Sequence, residues 1–157
     1  MAEPNRCCHP KLLSQYVSWL DEQERSRYER FYFPKHRHEY IVAHALLRSS
    51  LSRYRDCAPT AWRFTTSAHG RPELATTQGQ PPLRFSLSHT TGLVACAITR
   101  SADVGIDVEW MTQAGDLAAS ADISFTPSEL AALQQLSSTA WSQRFFSLWT
   151  LKEAYVK

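Results

Sequence analysis

Residues 83–99, LRFSLSHTTGLVACAIT, constrain the fold more than any other stretch of the chain. Two apolar-rich runs flank a Thr-Thr-Gly turn and read as a pair of strands folded back on each other. The elements around them are a mixture. Residues 10–33 read as helical, with Leu12, Leu13, Tyr16 and Leu20 spaced for one face, Asp21 placed to cap a second turn, and Pro34 interrupting the run. Residues 36–54 form a longer helical pattern, with Tyr40, Ala43, Leu47 and Leu51 on one stripe. Between this helix and the hairpin lies a stretch punctuated by Pro59, Gly70, Pro72, Gly79 and Pro81, with a short strand expected at WRFTT. After the hairpin, VGIDVEW alternates as a strand and residues 111–124 read as a loop or weak helix. Thr126-Pro127-Ser128-Glu129 carries the marks of a helix start, with Thr as N-cap and Pro at the first position. The chain closes on the helix FFSLWTLKEAYVK. Strands and helices without regular β-α-β alternation predict an α+β fold in which the 36–54 helix packs on a small antiparallel sheet.

Several classes are set aside by composition. Five Trp, six Tyr and seven Phe within 157 residues supply a compact core. No apolar run approaches the ~20 residues that span a bilayer, and the start, MAEPNRCCHPK, has no apolar core for a secretion signal. The expected setting is therefore the cytoplasm, with no membrane association. Cys7, Cys8, Cys57 and Cys96 form no CxxC pair or disulfide framework and read as reduced thiols. A zinc site at Cys7, Cys8 and His9 is disfavoured, because adjacent residues close a tetrahedron poorly. A net charge of +2 and the lack of any known motif argue against a nucleic-acid partner. That charge is uneven: residues 1–100 hold 14 Lys+Arg against 8 Asp+Glu, and residues 101–157 hold 3 against 7.

The chemistry sits in the last third. Asp107 and Glu109 lie two apart in Val104-Gly105-Ile106-Asp107-Val108-Glu109, so on a strand both carboxylates leave one face while the aliphatic residues face a core. Two such carboxylates repel unless a cation or proton stands between them. Paired hard oxygens suit Mg²⁺, which takes one or two protein carboxylates and completes its octahedron with phosphate and water. Taken alone, the pair reads better as the polar face of an edge strand. The terminal helix shifts that balance, because Trp149, Glu153 and Lys157 fall at i, i+4 and i+8 on one stripe.

The strings GIDVE and WTLKEAYVK, about forty residues apart, resemble the two diagnostic motifs of the phosphopantetheinyl transferase superfamily, Sfp type. His69-Gly70-Arg71-Pro72 is similar to the family's "G-basic-P" turn, and Phe85-Ser86-Leu87-Ser88-His89-Thr90 to its "F-N-x-S-H" segment. Arg27-Tyr28-Glu29-Arg30-Phe31 and Leu46-Leu47-Arg48 extend the likeness, which runs from about residue 20 to 157. The resemblance implies two pseudo-symmetric lobes: residues 1–100 on the coenzyme A phosphate side, and 101–157 opening a second lobe with the metal motifs. It implies a Mg²⁺-dependent transfer of the 4'-phosphopantetheine arm of coenzyme A to a serine of an apo acyl or peptidyl carrier protein. Asp107, Glu109 and Glu153 would hold the metal, and Glu153, directly or through water, would take the serine proton. Lys157 would lie beside the pyrophosphate. Ser88 and His89 would meet the 3'-phosphorylated ribose, Arg71 and Pro72 the adenine end, and Arg25, Arg27, Arg30 and Arg37 a cationic rim.

Departures from the family pattern generate further expectations. Ser86 replaces the usual Asn, and Glu39 stands where relatives are often basic, leaving Arg37 or His38 to substitute. Relatives continue past the motif helix, and residues 1–10 look too short and polar for an opening strand. An incomplete second lobe, exposed apolar side chains on the last helix, self-association and weak activity are expected on that basis. A coenzyme A-binding remnant and a partner-dependent fragment stand as the alternative functions.

Overall fold

A computed structural model describes residues 1–68, 70–75, 82–111 and 117–157. His69, Gly79, Gln80 and Pro81, and residues 112–116 of the expected loop, lie outside the described residues. The element order is α1 (Pro10–Trp19), α2 (Glu22–Arg30), α3 (Pro34–Leu51), β1 (Phe64–Thr66), β2 (Pro72–Leu74), β3 (Leu83–Thr90), β4 (Leu93–Arg100), α4 (Leu117–Ser124), α5 (Pro127–Gln134) and α6 (Ser138–Val156). Two small antiparallel sheets, β1–β2 and β3–β4, accompany the helices, which makes the fold α+β.

The hairpin is the frame. β3 and β4 pair along their whole length from Leu83↔Arg100 to Thr90↔Leu93, and Gly92 takes φ +78° in the turn, a backbone region that costs glycine little. Leu83 and Phe85 turn one face of β3 into a buried core with Leu47 and Leu51 of α3 and with Trp62. On the outer edge of β4, Ala2 exchanges two backbone hydrogen bonds with Val94, at 2.8 and 2.9 Å. The N-terminal residues, expected to be too short and polar for an opening strand, contribute this one bridge. A second core gathers Leu20, Ile41 and Val42 where α1 crosses α3. A third holds Phe125, Leu133, Phe145, Phe146 and Leu148 between α4, α5 and α6.

Several boundaries differ from the sequence reading. Pro34 opens α3 rather than merely ending what precedes it, because a proline at the first helical position loses no hydrogen bond. β2, unforeseen, pairs with the expected β1. The clearest correction concerns 104–109, which is not a strand of either sheet. It runs beside β3 in the same direction, but its Ile106 and Val108 N–H groups donate to the hydroxyls of Ser86 (3.1 Å) and Ser88 (3.3 Å) instead of to backbone carbonyls. Val104, Ile106 and Val108 are consequently only half-buried. No helix among the described residues is long and apolar enough to cross a membrane. The four cysteines are free thiols, and burial pushes the Cys96 thiol up to about 11.

The second and third helices and the segment before β1 are tied by one buried cation. Arg48, fully buried on α3, donates to Glu24 at 2.5 Å and to the carbonyls of Pro59 and Trp62 at 2.8 and 3.0 Å. Glu24 closes a capping box with Asp21 at the start of α2 and also meets His44 at 2.7 Å. Burial by itself would raise the Glu24 carboxyl, but the hydrogen bond and charge of His44, then Arg48 and the Asp21 N–H, hold it at about 2. A carboxyl depressed in the folded state stabilises above its ordinary value of 4.5, and that contribution disappears as pH falls through the folded value. Glu24→Gln is expected to cost about 3 kcal/mol at neutral pH and to flatten the loss of stability between pH 4.5 and 2, as read from urea midpoints across pH.

Candidate active site

Side-chain alternation gives β3 a second face, opposite the α3 core, where Arg84, Ser86, Ser88 and Thr90 project. The segment 104–109 lies across this hydroxyl-bearing face and brings both acids to it. The Ser88 hydroxyl donates to Asp107 Oδ1 at 2.8 Å, and the Thr90 hydroxyl donates to Glu109 Oε1 at 3.0 Å. Glu109 also accepts from the Trp110 N–H at 2.8 Å. The two carboxylates thus share one side of their segment, as the spacing predicts.

α6 completes the arrangement from above. Lys157, at the end of the helix, forms a close ion pair with Asp107 Oδ1 and donates to Ser88 Oγ at 2.9 Å. Its approach needs Gly105: a Cβ there would overlap the Ala154 carbonyl oxygen and stand 2.6 Å from its carbon. Glu153 lies one turn before Lys157 on the same stripe and is half-buried. Lys152, on another side of the helix, reaches Glu129 at 2.9 Å and the Phe125 ring at 5.6 Å, which orients α6 on α5. Glu129 is the acid of the Thr126 capping box; the Thr126 N–H first, then Lys152, hold its carboxyl at about 2.

The expected convergence of Asp107, Glu109 and Glu153 on one point is not formed. Among the described residues no three His, Cys, Asp or Glu side chains stand close enough to hold a metal ion together. The physical reason is visible at Asp107, whose charge is already met by the Lys157 ammonium. The donor set still fits Mg²⁺, since one or two carboxylates suffice for that ion and a cationic group is already lodged against one of them.

The remaining sequence candidates divide by position. Ser88 and His89 are neighbours on a strand and so point to opposite faces. Ser88 is 4% exposed and engaged by Asp107, Val108 and Lys157, whereas His89 is exposed at the hairpin tip. Near that tip Lys35 reaches Thr91 at 3.5 Å. Arg71 follows a turn in which Gly70 takes φ +82°, and its guanidinium donates to the Val104 carbonyl at 2.8 Å, tying the turn to the acidic segment. Arg71 and Pro72 line a cleft of about 370 Å³ with Arg55, Glu73, Arg84 and Phe85. Arg37 donates to the Phe31 carbonyl at 2.8 Å and so brackets the end of α2, while Arg30 is exposed.

Two residues that shape the candidate site were not legible in the sequence: Gly105 as the close-approach position, and Ser86 as a hydroxyl that catches a backbone N–H. The string GID, with a glycine entering an acidic segment, was the available signal for the first. Gly105→Ala is expected to lower stability by about 1–3 kcal/mol and to release the end of α6, seen as faster proteolysis around residues 150–157.

Comparison with known proteins gives a consistent set of likenesses. A family model described as 4'-phosphopantetheinyl transferase, N-terminal, matches residues 8–101, and one for the 4'-phosphopantetheinyl transferase superfamily matches residues 103–157. The chain is 34% identical over 145 residues to the 4'-phosphopantetheinyl transferase HetI of Nostoc sp., covering 92% of this chain and 61% of that protein. It is 28% identical over 146 residues to a putative 4'-phosphopantetheinyl transferase of Synechocystis sp., covering 93% and 59%. The likeness to 4'-phosphopantetheinyl transferase Sfp of Bacillus subtilis is 27% over 143 residues, covering 91% and 61%. The chain thus spans about three-fifths of the length of these relatives.

Proposed function

Because the chain belongs to the 4'-phosphopantetheinyl transferase superfamily, we propose that it moves the 4'-phosphopantetheine arm of coenzyme A onto a serine of an apo acyl or peptidyl carrier protein. The leaving product is 3',5'-adenosine bisphosphate. The observation that carries this reading is the delivery of Asp107 and Glu109 to one side of β3, with Lys157 arriving from a separate helix.

Asp107 and Glu109, joined by Glu153 from α6, are the residues that would hold Mg²⁺. When bound, the ion supplies positive charge to offset the charge that develops on the pyrophosphate during transfer. Ser88 and Thr90 fix the orientation of the two carboxylates through their hydroxyls. Glu153, directly or through an ordered water, accepts the proton of the attacking serine as its oxygen approaches the β-phosphate. Lys157 places an ammonium where the phosphate oxygens gather.

Arg71 and Pro72 offer the adenine end a partly cationic cleft. His89, with Arg30 and Arg37 on the same half of the chain, supports the 3'-phosphate side; basic groups there explain the +6 of residues 1–100. Ser88, being buried, serves the ligand through Asp107 rather than by touching it. Residues 1–100 act as the coenzyme A lobe, and 101–157 begin the lobe of the metal motifs. The reaction is one of soluble partners, placed in the cytoplasm, with carriers of fatty-acid, polyketide, nonribosomal-peptide or aminoadipate type as the candidate acceptors.

Incubation with coenzyme A, Mg²⁺ and an apo carrier tests the reading by mass spectrometry. A carrier that gains one phosphopantetheine group supports it; coenzyme A binding without that gain points instead to a non-catalytic binder. Asp107→Asn and Glu109→Gln are each expected to lower the rate of carrier modification by at least about 100-fold, since each removes a charge that must be placed to within an ångström.

A further inference from the structure

The close pair between Lys157 and Asp107 does more than attach α6. Asp107 has only 7% of its side chain exposed, Glu109 lies two residues away, and a carboxylate this buried needs a cation at hand. The Lys157 ammonium, brought from α6, supplies it. Ser88 Oγ joins the pair from both sides, donating to Asp107 and accepting from Lys157. The side chain of Lys157 is still 32% exposed, so its head can leave toward solvent or a phosphate without unfolding the helix.

We infer that the Lys157 ammonium is the resident cation of the carboxylate site, and that a divalent ion enters by exchange against it. This rests on the transferase reading, because that reading makes Asp107 a metal ligand. The exchange has a purpose in that setting. It keeps the acidic segment seated on β3 before the metal arrives, and it frees an ammonium for the pyrophosphate when the metal takes its place. Lys157 then changes partners, from carboxylate to phosphate, with no new residue recruited. A salt bridge that serves only the fold behaves differently. Its removal loosens the segment and weakens metal binding, whereas removal of a competitor strengthens it.

The test uses Mn²⁺ alone as the probe, without coenzyme A, by calorimetry and by electron paramagnetic resonance of the free ion. Lys157→Met is expected to bind Mn²⁺ about tenfold more tightly than the natural chain, while melting at lower temperature in the absence of metal. In the unmodified protein, acetylation of Lys157 followed by peptide mass spectrometry is expected to rise several-fold on Mn²⁺ addition, against exposed Lys11 as internal reference. This second measurement stands even where the variant does not fold. Mn²⁺ bound to the natural chain with unchanged Lys157 labelling, or bound equally or more weakly by Lys157→Met, overturns the exchange and leaves the transferase reading intact. Mn²⁺ bound by neither protein overturns the metal assignment itself, and the exchange with it.

Discussion

Side-chain alternation along β3 fixes where each part of the site stands. The same eight-residue strand sends Leu83 and Phe85 into the core under α3 and sends Ser86, Ser88 and Thr90 to the other side. Burial of the apolar face sets the register, since a slip of one residue would put Ser88 in the core and Leu87 against Asp107. With the register set, the hydroxyls fall where the N–H groups of 106 and 108 and the carboxylates of 107 and 109 need partners. The acidic segment is held by side chains rather than by a backbone ladder, which leaves its own carbonyls available for other partners. One of them, Val104 O, is taken by Arg71.

The two regions that carry the functional residues are built by different means. In the first hundred residues, one buried guanidinium gathers the α2 cap, α3 and the approach to β1, so its geometry depends on charge satisfaction as much as on apolar burial. In the last third, the aromatic core around Phe145 carries α6, and the Lys152–Glu129 pair turns that helix so that its other stripe faces the acids. Leu151, Tyr155 and Val156 stay exposed on α6, while Phe145, Phe146 and Leu148 are buried. The helix is thus held by Phe145, Phe146, Leu148 and Lys152, and its last turn carries Glu153 and Lys157.

The hairpin, the 36–54 helix, the caps at Asp21 and Thr126 and the closing helix were all legible, because each rests on a local pattern of period, cap or turn. Of the candidate site, the shared side of Asp107 and Glu109 was legible in their spacing, while the expected convergence with Glu153 is not formed. What escaped was relational. That 104–109 would dock on serine hydroxyls instead of pairing as a strand depends on Ser86 and Ser88, twenty residues earlier, and no periodicity reports such a partnership. That Lys157 would satisfy Asp107, rather than leave three carboxylates facing one another, depends on how closely Gly105 lets α6 approach. That Arg37 would also donate to the Phe31 carbonyl at the end of α2 is of the same kind, since a guanidinium near free carbonyls is drawn to them.

The central claim is that the hydroxyl face of β3, with the acids and Lys157 gathered on it, is where the metal and the coenzyme A phosphates are held. Paramagnetic broadening of backbone amide signals by Mn²⁺, in the presence of coenzyme A, locates that point directly. The account predicts strong broadening at residues 88–90, 107–109 and 153–157, and little at residues 10–30. Broadening confined to another part of the chain, or none at saturating coenzyme A and Mn²⁺, would contradict it.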